Sequence, residues 1–403
     1  MASTTQTQIR PRALLHASGG PRYAVALTVD AIGTGLLRPF LLLYGVMVLR
    51  LSAPEAGIAM TVGIVVGLLC MPAVGRWLDR GARSTVVAAS MLVRVLGVVL
   101  LLATPEGSAE LFTMAALFLG VGNQTWPAAH AALVATVAHG RERDAALAAG
   151  RALRNAGLGA GALLATVCLA GGTTALRSLA VVTALAYLVA AALTWSVRVH
   201  ARPASPAAVA VAVVAEDGGA ESAPRMGALL AANVIYAFCL NIPEIALPLV
   251  LVTQMHASPM WPAVIFVANT MLVVTLQVPV TVLLSRFHRR SVLVVAGAVL
   301  TASYLGFLAA VSIGHDWAAP AVAVVSVLCT FGEIIYAGSA TALVTALAPA
   351  HALGRVLARF QLSTGFGLAV SPAALAALAP HGPVALWGGL AAGTLLAACA
   401  VAA

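Results

Sequence analysis

The sequence predicts an all-α polytopic membrane protein, with twelve transmembrane helices arranged as two pseudo-symmetric halves of six. Three observations predict it. The 403 residues are 61% hydrophobic and only 9% charged, and a soluble domain of that length would need far more polar surface. Apolar runs of about 20 residues, enough to cross a ~30 Å hydrocarbon core, recur along the whole chain. A membrane barrel would instead show short alternating segments. Finally, the arginines fall on one side of the twelve runs.

In chain order, residues 1–22 are polar and basic, without a cleavage-site pattern after a short apolar stretch, and read as a cytoplasmic tail. The spans follow at 23–49, 54–75, 84–104, 110–137, 145–170 and 174–197, forming an N-terminal bundle over 23–197. Residues 198–226 hold Pro203, Pro206, Glu216, Asp217, Gly218, Gly219, Glu221 and Pro224, and read as a flexible cytoplasmic linker. The second set lies at 227–253, 260–284, 291–313, 317–347, 354–379 and 383–402, within a C-terminal bundle over 227–403.

With the N-terminus inside, arginines 10, 12, 22, 76, 80, 83, 141, 143, 198, 202, 225, 286, 289, 290 and 355 all fall in or beside cytoplasmic segments. Only Arg50 and Arg177 fall outside. By the positive-inside rule both termini are cytoplasmic and the span count is even. The expected location is the cell (inner or plasma) membrane.

Composition also excludes chemistry. All 22 basic residues are arginine, so there is no lysine for a phosphate-binding loop or a Schiff base, and no segment is polar enough to be a nucleotide domain. The high isoelectric point is explained by topology rather than by nucleic acid. Cys70, Cys168, Cys239, Cys329 and Cys399 lie singly, without a CxxC pair, and read as reduced packing residues. No cofactor or metal is expected; a proton gradient is the energy source.

The halves look like copies. Ala132-Leu133-Val134 and Ala342-Leu343-Val344 stand 210 residues apart, and Arg151, Gly157 and Gly159 have the spacing of Arg359, Gly365 and Gly367 at an offset of 208. Parallel six-helix repeats are a carrier architecture. The densest short charge cluster, Gly75 to Arg83, sits between the second and third spans and reads as a charged cytoplasmic turn.

Twelve spans, a long central loop and that cluster together resemble the major facilitator superfamily. Its pattern between spans two and three is G-x-x-x-D-R-x-G-R-R, matched by Gly75, Asp79, Arg80 and Arg83. Ala82 stands where the second glycine is usual, with Gly81 beside it, and Ser84 where the last basic residue is usual. The tract Arg151 to Gly161 is similar to span five of the drug:proton antiporter branch. The resemblance implies that Asp79 meets the start of span eleven, near Leu353 to Arg355, and latches one conformation. An anion at a helix N-terminus gains roughly 0.3–1 kcal/mol, up to about 2 when partly buried.

An ionisable side chain at the bilayer centre costs at least ~2.5–3.5 kcal/mol. Asp30, Glu244 and Glu333 carry that cost, as do Arg38, Arg94, Arg151, Arg154 and Arg359. Desolvation brings a buried carboxylate toward neutrality, so Glu333, Asp30 and Glu244 are proton-coupling candidates. Glu333 aligns with Asn123 across the repeat, an acid facing an amide. Arg38, Arg94, Asn123, Gln124, Trp126, Asn241, Asn269, Gln277, Tyr336, Arg359 and Gln361 are candidate cavity groups; helix–helix hydrogen bonding is the plainer alternative for each. Gly157, Gly159 and Gly161 allow close helix packing.

The expected function is secondary active transport: proton-coupled efflux of amphipathic drug-like or natural-product compounds, by a monomer that meets only lipid, protons and its small-molecule substrate. A sugar or small-metabolite permease is the second reading. The spacing His139…Asp144 is that of an acyltransferase, but no companion motif supports a membrane enzyme; that reading and a transport-dead receptor are the remote alternatives.

Overall fold

The computed structural model describes residues 19–81, 83–168, 172–197, 222–247, 250–251, 255, 257, 260–313, 315–349, 351–378 and 381–402. Their regular structure is helical throughout. In a bilayer every backbone N–H and C=O must find its partner inside the chain, and an isolated span can do so only as a helix.

The first passage is α1 (Pro21–Leu37), a 3₁₀ turn at Arg38–Phe40 and α2 (Leu41–Met47). Pro39 lies in the break, where its missing N–H and its ring interrupt the helical ladder. The second passage is α3 (Ala53–Leu69) and α4 (Met71–Asp79), divided at Cys70 just before Pro72. Ser52 caps α3: its hydroxyl accepts from the Glu55 N–H, and the Glu55 carboxylate accepts from the Ser52 N–H at 2.9 Å. Single helices then follow: α5 (Arg83–Ala103), α6 (Ala109–Val137), α7 (Gly140–Cys168) and α8 (Gly172–Ser196).

The second half opens with α9 (Ser222–Cys239), continued by a π-helical turn at Ile242–Ala246. The break in this passage falls at Leu240–Asn241, just before Pro243, which opens the π turn beside Glu244. Next come α10 (Met260–Leu284), α11 (Arg289–Val311), α12 (His315–Leu347) and α13 (Leu353–Leu378). A π turn at Val384–Gly388 leads into α14 (Gly389–Ala402).

These are the twelve passages expected from the sequence. Two boundaries differ in a way that matters. The cluster 75–83 is mostly helix: α4 runs on through Asp79, and the chain turns only where Gly81 takes a φ of +84°, a conformation glycine reaches without steric cost. Likewise α7 begins at Gly140, so Asp144 stands on its first turns rather than in a loop. The linker read over 198–226 lies outside the described residues as far as 221, and α9 already begins at Ser222.

Among the described residues, eight passages are long and apolar enough to cross a membrane by length and composition. The apolar stretch of α9, Met226–Cys239, is shorter. The remaining helices, α6, α7 and α13, carry Gln124, Arg151, Arg154 and Gln361, polar groups that bond to other helices rather than face lipid.

Close packing fixes α7 on α1. A Cβ at Gly161 would lie 2.3 Å from the Ile32 carbonyl oxygen, and one at Gly157 would lie 2.5 Å from the Ala31 Cβ. Gly159 points elsewhere, toward Thr270 on α10 of the other half, with the nearest atom at 3.8 Å. Two of the three glycines therefore hold a half together, and one faces the seam between halves. The halves meet through α7 with α10 and α12, and through α13 with α4 and α6. The connections α4–α5, α6–α7, α10–α11 and α12–α13 gather at one end of the bundle, here called the arginine-rich face.

Candidate functional site

The site is built from the bottom of the seam upward. At the arginine-rich face α4 and α13 touch. Gly75 and Gly354 leave no room between them: a Cβ on Gly354 would lie 2.5 Å from the Gly75 carbonyl oxygen. That approach places Asp79 over the first turn of α13. Its Oδ1 accepts from the Gly354 N–H at 2.6 Å and the Arg355 N–H at 3.4 Å, and its Oδ2 pairs with Arg355 Nε at 2.8 Å. The carboxylate thus caps two otherwise unpaired helix donors at the positive end of the helix dipole. Arg80 is exposed, and Arg83 donates to Thr136 at the end of α6.

A second contact joins the halves, again with the acid from the N-terminal half and the guanidinium from the C-terminal half. Asp144 on α7 is buried, and its Oδ2 accepts from Arg289 Nη2 at 2.6 Å and Nε at 3.1 Å. Arg141 donates to Ser285 at 3.2 Å nearby. The α10–α11 connection lacks its own carboxylate, and the acid comes instead from the other half. The pairing escaped sequence reasoning; the available signal was a basic turn with no acid beside it.

Deeper in the N-terminal half, Asp30 and Arg94 are both fully buried and pair at 2.5 Å. Arg94 also donates to Thr34 at 3.3 Å, with its guanidinium 4.4 Å from the centre of the Tyr187 ring. Arg154 reaches the other Asp30 oxygen at 3.5 Å and lies over Trp126, its guanidinium carbon 4.0 Å from the ring centre. The far face of Trp126 stacks on His130, which shares a 2.9 Å hydrogen bond with Tyr23. Thr34, Tyr187, Tyr23 and His130 were not foreseen from sequence; their types are common in spans, and only the packing brings them together.

Across the seam Arg151 donates to Thr341 on α12 at 3.2 Å, and Gln361 donates to Gln124 at 3.1 Å. In the C-terminal half Glu333 is buried and accepts from the Asn269 amide at 3.1 Å. Tyr336 donates to Asn233 at 2.7 Å, and Asn233 donates to Ser363 and Thr364. Asn241 ties to the Leu368 carbonyl and Ser371, and Gln277 to the Ile334 carbonyl. Asn123 is partly buried, with its carbonyl oxygen unpartnered among the described residues. Arg38, in the break of the first passage, and Arg359 on α13 are exposed. The side chain of Glu244 lies outside the described residues.

So the structure joins the candidates in two groups, Asp30–Arg94–Arg154–Trp126 in one half and Glu333–Asn269 in the other, with Gln124–Gln361 between them. The sequence pattern of the major facilitator superfamily matches residues 23–372. The chain belongs to the major facilitator superfamily. It is therefore a transporter of small molecules, and not an enzyme. Among solved structures, a bacterial homologue of the iron transporter ferroportin in an outward-facing state superposes with a TM-score of 0.75 at 12% identity, covering 94% of this chain and 98% of that one. The human organic anion transporter MFSD10 gives 0.72 at 12%, covering 97% and 99%. The E. coli fucose:proton symporter FucP gives 0.69 at 13%, covering 94% and 95%. At these identities the likeness is one of fold. No curated protein sequence matches the chain.

Proposed function

We propose that this superfamily member exports amphipathic drug-like or natural-product molecules in exchange for protons, by rocking its two halves around a midplane site. The observation that carries the reading is the pair of polar closures at the arginine-rich face, Asp79 on α13 and Asp144 with Arg289. Both join one half to the other, both use charge-assisted hydrogen bonds, and neither belongs to the internal packing of a half. Such contacts can break and re-form as a unit without unfolding either bundle. With the arginine-rich face in the cytoplasm, as the positive-inside rule directs, the described state is closed inward.

Glu333 is the proton carrier in this reading. It is buried at mid-helix in α12, and its carboxylate accepts a hydrogen bond from the Asn269 amide. Protonation on the outer side and release on the inner side would reset the carrier after each outward delivery. The experiment is uptake into inverted vesicles under an imposed proton gradient, with Glu333→Gln as the control. Gradient-driven accumulation that disappears in Glu333→Gln is expected. Substrate moving with the proton would make the protein a symporter, and full gradient-driven transport by Glu333→Gln would remove Glu333 from the mechanism.

A further inference from the structure

The two halves are unequal in charge. In the N-terminal half, Asp30 is the single carboxylate among the described residues that pairs with Arg94 and Arg154. Arg94 takes the near Asp30 oxygen at 2.5 Å; Arg154 is left with the far one at 3.5 Å. One helical turn earlier on the same face of α7, Arg151 has only the neutral Thr341 hydroxyl as a hydrogen-bond partner, and no carboxylate lies within ion-pair distance of it among the described residues. Of three guanidinium groups inside the bundle, Arg94 and Arg154 thus share one acid, and Arg151 is ion-paired with none among the described residues.

Such an excess is costly in a low-dielectric interior unless an anion completes it. Arginine's planar fork suits carboxylate, sulfonate or phosphate oxygens. Arg154 is also held in place: its guanidinium carbon lies 4.0 Å from the centre of the Trp126 ring, while its side chain keeps 15% of its exposure. Trp126 itself has both faces covered, by Arg154 and His130, and so acts as a positioning residue.

We propose that the cargo is an organic anion whose acidic group is held by Arg151 and Arg154 at the seam between the halves. The inference rests on the export reading above and narrows its substrate class. An inside-negative membrane potential pushes an anion outward, so the cargo charge and the export direction agree.

The test uses purified protein in liposomes and two dyes on one ring skeleton, fluorescein as the anion and a rhodamine as the cation. Fluorescein should move faster than in protein-free liposomes. Its initial rate should fall at least tenfold in Arg151→Gln and Arg154→Gln, with partial rescue by Arg154→Lys. Arg154→Gln leaves Asp30 paired to Arg94, so its fold is expected to persist; melting temperature and monodispersity check it. Preferential movement of the rhodamine overturns the charge assignment while leaving the carrier reading intact, as does fluorescein movement equal in wild type and both variants. If neither dye moves, the assignment falls. The carrier reading falls with it only where an imposed proton gradient also fails to change the distance between α4 and α12 at the arginine-rich face.

Discussion

Replacing Asp79 by Asn removes one charge from the closure and little else. The amide oxygen can still accept from the Gly354 N–H, now 2.6 Å from a carboxylate oxygen, but as a neutral acceptor of roughly half the strength. The favourable term between an anion and the start of α13 disappears, about 1 kcal/mol and up to ~2 at a partly buried site. The ion pair with Arg355, whose side chain is half exposed, adds no more than ~0.5 kcal/mol after solvent screening. The sum is roughly 2 kcal/mol, a shift of about 30-fold between the closed and open arrangements of this face, since 1.4 kcal/mol is tenfold. The assay is pulsed electron-spin distance measurement between labels replacing the exposed Trp77 on α4 and Leu347 at the end of α12, in a cysteine-free background. A second, longer distance should appear in Asp79→Asn, transport should fall, and helical content and yield should stay unchanged. An unaltered distance distribution together with wild-type transport would refute the reasoning.

Asp144→Asn should open the same face by a comparable ~1–3 kcal/mol, because Arg289 loses its anion but is three-tenths exposed and partly rehydrates. In the double variant with Asp79→Asn the two shifts should add, since they act on separate helix pairs; a double variant no more open than either single one counts against two latches. Arg94→Gln should lower stability by about 3 kcal/mol, because the fully buried Asp30 keeps only its longer 3.5 Å contact with Arg154, and adding Asp30→Asn should restore most of it, read as melting temperature in detergent. Gly161→Val should abolish monodisperse protein through collision with the Ile32 carbonyl, whereas Gly159→Ala should be tolerated; equal behaviour of the two in size-exclusion chromatography would contradict the packing.

Several of these residues were legible before any coordinates. The contact between Asp79 and α13 was expected because the superfamily motif is short and local, and its partner helix could be located by counting spans. The turn at Gly81 follows from backbone chemistry at a single residue. Asp144 with Arg289 was not legible: the two residues lie in opposite halves, and nothing within either segment names its partner. The same holds for Arg154. The sequence places it in a span, but its choice between Asp30, Trp126 and lipid is made by the rotation of α7, which Gly157 and Gly161 set against α1. Asp30 shows the cost of that ambiguity, a proton-coupling candidate by sequence and an ion-paired residue in the fold.

By itself the sequence determined the class, the twelve passages, the two halves and the side on which arginine collects. Each depends on the transfer of a contiguous segment between water and lipid, a sum that can be read along the chain. Only the tertiary structure decided which charges meet, that one end of the seam is closed by two N-terminal-half carboxylates on C-terminal-half donors, and that the N-terminal half holds more buried guanidinium groups than acids to balance them. Those depend on which helix faces touch and at what depth, and electrostatic pairing in a low dielectric is settled over a few ångströms, a scale no linear pattern of residues records.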